Sequence, residues 1–201
     1  ESVVCNNARV MAEICNRFDF EAVWFDVEVG GSPSGGHLTW NSRYFKDKHP
    51  FEEYQVQARK CGFKLMKAFT SVKPDFKLII SHAYGSVLQK LAGRDPAETL
   101  AEISYSLLPS FLDGMLEGCG EHGRVVDSGE GTYGTMTYAA FKAWREWDQL
   151  AAEKLSDVPH LVSKNYRHAM ALWPDFRSDA NSWNVDEFEK NHFSPERLKH
   201  A

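Results

Sequence analysis

No apolar run in the 201 residues approaches the length of a membrane-spanning helix, so no span across a bilayer is expected. Positive charge is not in excess: 23 Lys and Arg stand against 28 Asp and Glu, a formal net charge of −5. That balance disfavours nucleic acid and anionic membrane as partners, because both select basic patches. The four cysteines, Cys5, Cys15, Cys61 and Cys119, form no CxxC pair and no Cys/His cluster, which argues against a zinc site. Each falls among apolar helix positions, so buried free thiols are expected rather than disulfides. HxH and HExxH motifs are missing. The segment "GGSPSGG" lacks GxxxxGK[ST] and no helix follows it closely, which excludes a P-loop and a dinucleotide fingerprint. No cofactor is expected. An initiator Met and a signal peptide are absent as well. The chain opens at "ESVVCNNARVM" and stops at "SPERLKHA" inside what reads as a helix start, the pattern of a piece of a larger or processed protein.

What is present is an ordinary globular composition, 43% hydrophobic and 25% charged, and residues 1–201 are expected to form a single domain or part of a large one. Apolar residues recur at helical spacing over 3–18. Val23, Trp24, Phe25 and Val27 then read as a buried strand over 21–29, since β-branched and aromatic runs suit a sheet covered on both faces. A helix follows Pro50, with Phe51, Tyr54, Ala58, Cys61, Leu65 and Phe69 on one face. "PDFKLIISHAYGS" is a second strand, followed by helical pieces at 86–92 and 96–106 and a helix stripe in "LLPSFLDGMLEGC". "GRVVDSGEGTYG" is a third strand and 137–155 a long helix. The fourth strand is placed in "VSKNYRHAMALWPDF", where Ala169, Ala171 and Trp173 alternate, and a last helix begins at Ser194 and Pro195.

Strands separated by helices imply parallel pairing through right-handed crossovers. The expected fold is α/β, a parallel barrel of TIM type or a partial barrel of about four βα units, with an open sheet as the alternative. A half barrel leaves strand edges uncovered, which calls for flanking sequence or a second copy, a homo-oligomer, to complete it. In either architecture, ligands bind beyond the carboxyl ends of the strands.

Polar residues collect at those ends: Asp26 and Glu28; His82 and Tyr84; Asp127, Glu130 and Tyr133; Trp173 and Asp175. Asp26 and Glu28 share a strand face because side chains alternate. Two carboxylates across a cleft suit glycosidic-bond hydrolysis, one donating a proton and the other acting as nucleophile or base. Glu28 is the expected proton donor, Glu130 its counterpart and Asp26 a neighbour that tunes proton affinity. His82, Tyr84, Asp127, Tyr133, Trp173 and Asp175 are expected substrate contacts. Plainer roles fit some of them: Asp26 or Glu28 as an acceptor for loop amides, His82 as a core histidine, Asp127 as a turn acceptor before Ser-Gly. Trp40, Trp173 and Trp183 suit sugar platforms or packing.

The segments "NARVMAEIC" into "VWFDVEV", "LLPSFLDGMLEG" into "RVVDSGEGTYG" and "MALWPDF…WNVDEFEKNHFSPERL" carry a resemblance over nearly the whole chain. It resembles a group of bacterial proteins with glycoside-hydrolase-like (β/α)₈ barrels. The resemblance implies that the chain supplies middle and later strands of such a barrel. The D-x-E pair at 26 and 28 is also similar to the end of the catalytic strand in chitinase-type barrels, which implies Glu28 as acid. The longer acidic run of that signature is absent, Val23, Trp24 and Phe25 standing in its place.

The expected function is therefore a glycoside hydrolase acting on an oligo- or polysaccharide. The same carboxylates and His82 also fit a hard divalent cation in a barrel isomerase or lyase. A non-catalytic carbohydrate-binding barrel is the third reading.

Overall fold

The computed structural model describes residues 2–28, 36–133, 135 and 137–171, and the backbone of Phe176–Arg177 and Ser182–Trp183. Helix α1 (Val3–Phe18) starts where the Ser2 hydroxyl accepts the Cys5 N–H at 3.3 Å, satisfying one of the unpaired first-turn donors. It ends at Asp19 in the left-handed region, φ 57°, whose N–H returns to the Cys15 carbonyl. Strand β1 (Ala22–Phe25) follows at once. Helix α2 (Phe51–Thr70) then leads to β2 (Lys77–Ile80), and the short helices α3 (Tyr84–Leu91) and α4 (Pro96–Thr99) lead to α5 (Leu108–Gly118) and β3 (Arg124–Asp127). Helices α6 (Tyr138–Leu155) and α7 (Pro159–Asn165) precede β4 (Tyr166–His168). A separate antiparallel pair joins β5 (Phe176–Arg177) to β6 (Ser182–Trp183).

The four main strands form one parallel sheet in the order β1-β2-β3-β4, each beside its neighbour in the chain. The fold class is thus α/β, built of consecutive βα units. Consecutive parallel strands joined by crossovers of one hand place their helices on a single face. Side-chain parity bears this out. Val23, Leu78, Val125 and Tyr166 are in register, as are Phe25, Ile80, Asp127 and His168. Leu78, Ile80, Val125 and Tyr166 are buried in the core shared with the helices. The opposite face carries Trp24, Ile79, Val126 and Arg167 in register, all at least partly solvent-exposed. Among the described residues, a sheet covered on both faces, expected from the apolar run at β1, is therefore replaced by one covered on one face.

Within the helical layer, α2 and α5 pack so closely that glycine is required on both. A Cβ on Gly62 would overlap the Phe111 carbonyl, and one on Gly114 the Arg59 carbonyl. The apolar character of α5 follows, since nearly all its residues are buried between α2 and the sheet.

Several expectations shift. The fourth strand lies at 166–168; Pro159 opens α7 over the preceding segment, and only the Ala169 N–H, bonded to the Asp127 carbonyl at 2.8 Å, extends the ladder. The helix expected over 96–106 stops after one turn and a 3₁₀ turn at Leu100–Glu102. All four cysteines are free, with Cys15 and Cys119 buried, Cys5 half-buried and Cys61 exposed. The alternation reaching Trp173 and the helix expected at Ser194 lie outside the described residues.

Candidate functional site

At the carboxyl end of β1 the chain turns on Asp26. Its Oδ1 accepts the Glu28 N–H at 2.7 Å and the Ser81 hydroxyl at 3.0 Å. Ser81 Oγ in turn accepts the Val27 N–H at 3.1 Å. Asp26 thus shapes the strand exit and fixes the backbone from which Glu28 projects. This is the local acceptor role that an acid at this position also allows.

Two residues past β2, His82 Nε2 lies 2.6 Å from Glu28 Oε1 and 3.7 Å from Glu130 Oε2. Its other nitrogen, Nδ1, is 3.2 Å from the Ser86 hydroxyl, one turn further along on α3. Glu130 reaches the cluster from a 3₁₀ turn after β3, made possible by Gly129 at φ 74°, which packs against the Ala169 carbonyl. Tyr133 hydrogen-bonds Glu130. The Tyr105 ring centroid lies 5.2 Å from that of His82, with Lys90 Nζ 5.5 Å from the Tyr105 centroid. Oxygen and nitrogen ligand atoms of Glu28, His82 and Glu130 all lie within 4.8 Å of one another. Three distant segments, after β1, β2 and β3, therefore meet at one end of the sheet.

The two carboxylates differ in surroundings. The Glu130 side chain is 19% exposed and that of Glu28 51%. Burial raises the proton affinity of Glu130, with Glu28 and Asp26 adding to it, while His82 and the Tyr133 hydrogen bond oppose the shift. Burial and then the Glu130 charge push the Tyr133 hydroxyl upward. The Tyr105 hydroxyl is raised by burial and by Glu28.

Asp26, Glu28, His82, Glu130 and Tyr133 are thus brought together as expected. Tyr84 and Asp127 are not. Tyr84 is the first residue of α3 and turns into the core; it is fully buried and its hydroxyl donates to Asp113 at 2.6 Å. Asp127 faces the helical side of the sheet, one residue out of phase with the cluster. Its Oδ1 accepts the Gly129 N–H at 3.0 Å, closing the turn, and its carboxyl packs on that of Asp148. Burial, followed by the Asp148 charge, pushes Asp127 well above the usual carboxylate range. Trp40 packs on Phe51 at 5.7 Å between ring centroids. Trp173 and Asp175 lie outside the described residues, as does the side chain of Trp183.

Two sets of residues escaped the sequence reading. Ser81 and Ser86 orient the cluster; the i, i+4 spacing of His82 and Ser86 at a helix start is a signal that was available. Fully buried Asp148 on α6 accepts the Gly85 N–H at 2.8 Å and the Tyr166 hydroxyl at 2.9 Å, and sits 2.5 Å from His168 Nδ1. Nothing in the amphipathic pattern of α6 distinguishes that acid from its solvent-facing neighbours. No family model, curated protein or solved structure matches this chain.

Proposed function

We propose that the chain hydrolyses glycosidic bonds in an oligo- or polysaccharide, as four βα units of a parallel barrel, with Glu130 as proton donor and Glu28 as nucleophile. One observation carries this reading: two carboxylates from separate strand ends stand within 4.8 Å of each other in unlike environments. Pairs of acids whose surroundings separate their proton affinities are the mark of divided acid and nucleophile roles. The roles are the reverse of the sequence expectation, because the Glu130 side chain is the more buried of the two and its burial favours the protonated form.

In the first step Glu130 protonates the leaving oxygen while Glu28 attacks the anomeric carbon, giving a glycosyl ester and a free alcohol. Glu130, now ionised, then takes a proton from water as that water displaces the ester and regenerates Glu28. One oxygen of each carboxylate within 4.8 Å of the other lies nearer the retaining arrangement, with carboxyl groups about 5–5.5 Å apart, than the inverting one at about 6.5–9.5 Å. His82 holds Glu28 in place through Nε2, and Tyr105 and Tyr133 offer a ring face and a hydroxyl to the sugar.

The test is turnover of a panel of chromogenic glycosides and polysaccharides by the unaltered chain and by Glu130→Gln and Glu28→Gln. Each substitution is expected to lower kcat by about 10²–10⁴-fold, the usual contribution of a positioned acid or base. Unchanged turnover in both, with folding intact, overturns the assignment.

A second reading is favoured by the presence of an imidazole in the same trio. Two carboxylate oxygens and a nitrogen, with Nδ1 of His82 anchored on Ser86, form a donor set suited to Mn²⁺ or Mg²⁺ with waters completing the shell. Metal analysis of protein purified without chelators separates the two: a stoichiometric divalent ion with EDTA-sensitive activity supports this reading and removes the first.

A further inference from the structure

The sheet has two unfinished aspects. Among the described residues no strand pairs with the outer edge of β1 or of β4. Its second face, the row Trp24, Ile79, Val126 and Arg167, faces no helix among the described residues, and Trp24 is 52% exposed. Unpaired edges are templates for another strand. Sheets of consecutive parallel strands with all helices outside close on themselves at eight.

Helix α1 has the composition of an inner member of a helical ring rather than of an end. Ala8, Ala12 and Cys15 are buried on one side. On a second side Val3, Val10, Met11, Ile14 and Phe18 recur at helical spacing and are all exposed. A lone boundary helix has one apolar stripe; α1 has two. At the other end of the sheet, α6, the long helix before β4, leaves Trp147 and Leu150 exposed on its flank.

We propose that two copies of this chain join in one closed eight-stranded parallel barrel, β4 of each beside β1 of the other, about a two-fold axis along the barrel. Four strands from each copy supply the number that closure requires. Both edges run in the same direction, so the new pairs are parallel like the existing ones. The helix before β1 then lies between its own α2 and the α6 of the second copy, which brings the outer stripe of α1 against exposed Trp147 and Leu150. The rows containing Trp24 become inner layers. Cations on that face already have partners: Lys77 pairs with Glu21 at 2.9 Å, while Arg124 and Arg167 donate to nearby backbone carbonyls. The two Glu28–His82–Glu130 clusters come to the same rim, the second copy walling the open flank of each. The proposal rests on the barrel reading of the sheet and is independent of the chemistry assigned to the cluster.

Light scattering after size exclusion, at several concentrations, tests it directly. The expected mass is twice the 22.8 kDa of one chain. Ile14→Asp on the outer stripe of α1, and separately Leu150→Asp on α6, are expected to give single chains that keep their helical circular dichroism. A single-chain mass for the unaltered protein at all concentrations, a trimer or larger, or a dimer that both variants leave intact overturns it. Loss of glycoside turnover with an intact dimer bears on the proposed function and not on this one.

Discussion

At the scale of single residues, Glu130 is governed by opposing neighbours. Burial raises its proton affinity, and the Tyr133 hydroxyl and His82 lower it. Removing the hydroxyl in Tyr133→Phe takes away a donor that favours the ionised form, so the Glu130 carboxyl titrates at higher pH. As proton donor, Glu130 must hold its proton, and turnover falls as pH rises through its folded-state value. The alkaline limb of the pH–rate profile is thus expected above the ordinary carboxylate range, and further up in Tyr133→Phe. A ¹³C carboxyl titration of the resting protein checks the same shift without substrate.

Asp127 makes a contrary case. Its folded-state proton affinity is raised, so the folded protein binds a proton that the unfolded chain releases near pH 3.9. Stability from this group is full below that pH and declines as pH rises towards the folded-state value. Asp127→Asn keeps the acceptor for the Gly129 N–H and replaces the acidic proton with an amide donor. The variant is expected to lose less stability than the parent between pH 5 and pH 8, read as urea midpoints at the two values. The acceptor role of Asp127 was legible in "DSGEG"; the buried partner Asp148 was not, because the burial of one acid on α6 depends on contacts with α3 and β4 that no local pattern encodes.

At the scale of elements, the helices announced themselves through the spacing of apolar residues. α1 spans the 3–18 that its apolar spacing indicates, and removing the Ser2 cap seen in the fold, Ser2→Ala, is expected to cost about 1 kcal/mol, measured in chemical denaturation. The glycines of α2 and α5 carry more. Gly114→Ala forces a methyl into the Arg59 carbonyl, and an overpacked contact of this kind costs about 1–3 kcal/mol. A thermal midpoint equal to the parent's would refute the close approach. β4 was misplaced because a strand of three residues carries no usable alternation, whereas the Ala169–Ala171 pattern beyond it offered a false one. Tyr84 was misassigned for a related reason: a residue four past a strand end looks rim-facing until the helix begins on it and rotates it inward.

For the whole molecule, the alternation of helices and strands was enough to give parallel pairing, while the consecutive order is set by the folded sheet. What the linear pattern did not contain was which face of the sheet the helices cover, since Trp24 and Ile79 are as apolar as Phe25 and Ile80. Hydrogen exchange offers a reading at this scale. Amides of β2 and β3, paired on both sides, are expected to be the slowest and insensitive to protein concentration. Those of β1 and β4 are expected to slow as concentration rises, since in the proposed dimer their outer edges gain partners between copies. Edge amides that exchange equally fast at all concentrations would contradict this.

The buried carboxylate of Asp148 has a temporal consequence. It clasps Gly85 from an earlier segment and Tyr166 and His168 from a later one, with Tyr84 packed against Tyr166 beside it. On the ribosome, α2 waits for α5 and β1 for β2, and the α3 start stays unclasped until residue 148 is outside the exit tunnel. Synthesis of the segment between 85 and 148 is accordingly an interval in which the Gly85 amide has yet to meet its acceptor, and a pause there would prolong it.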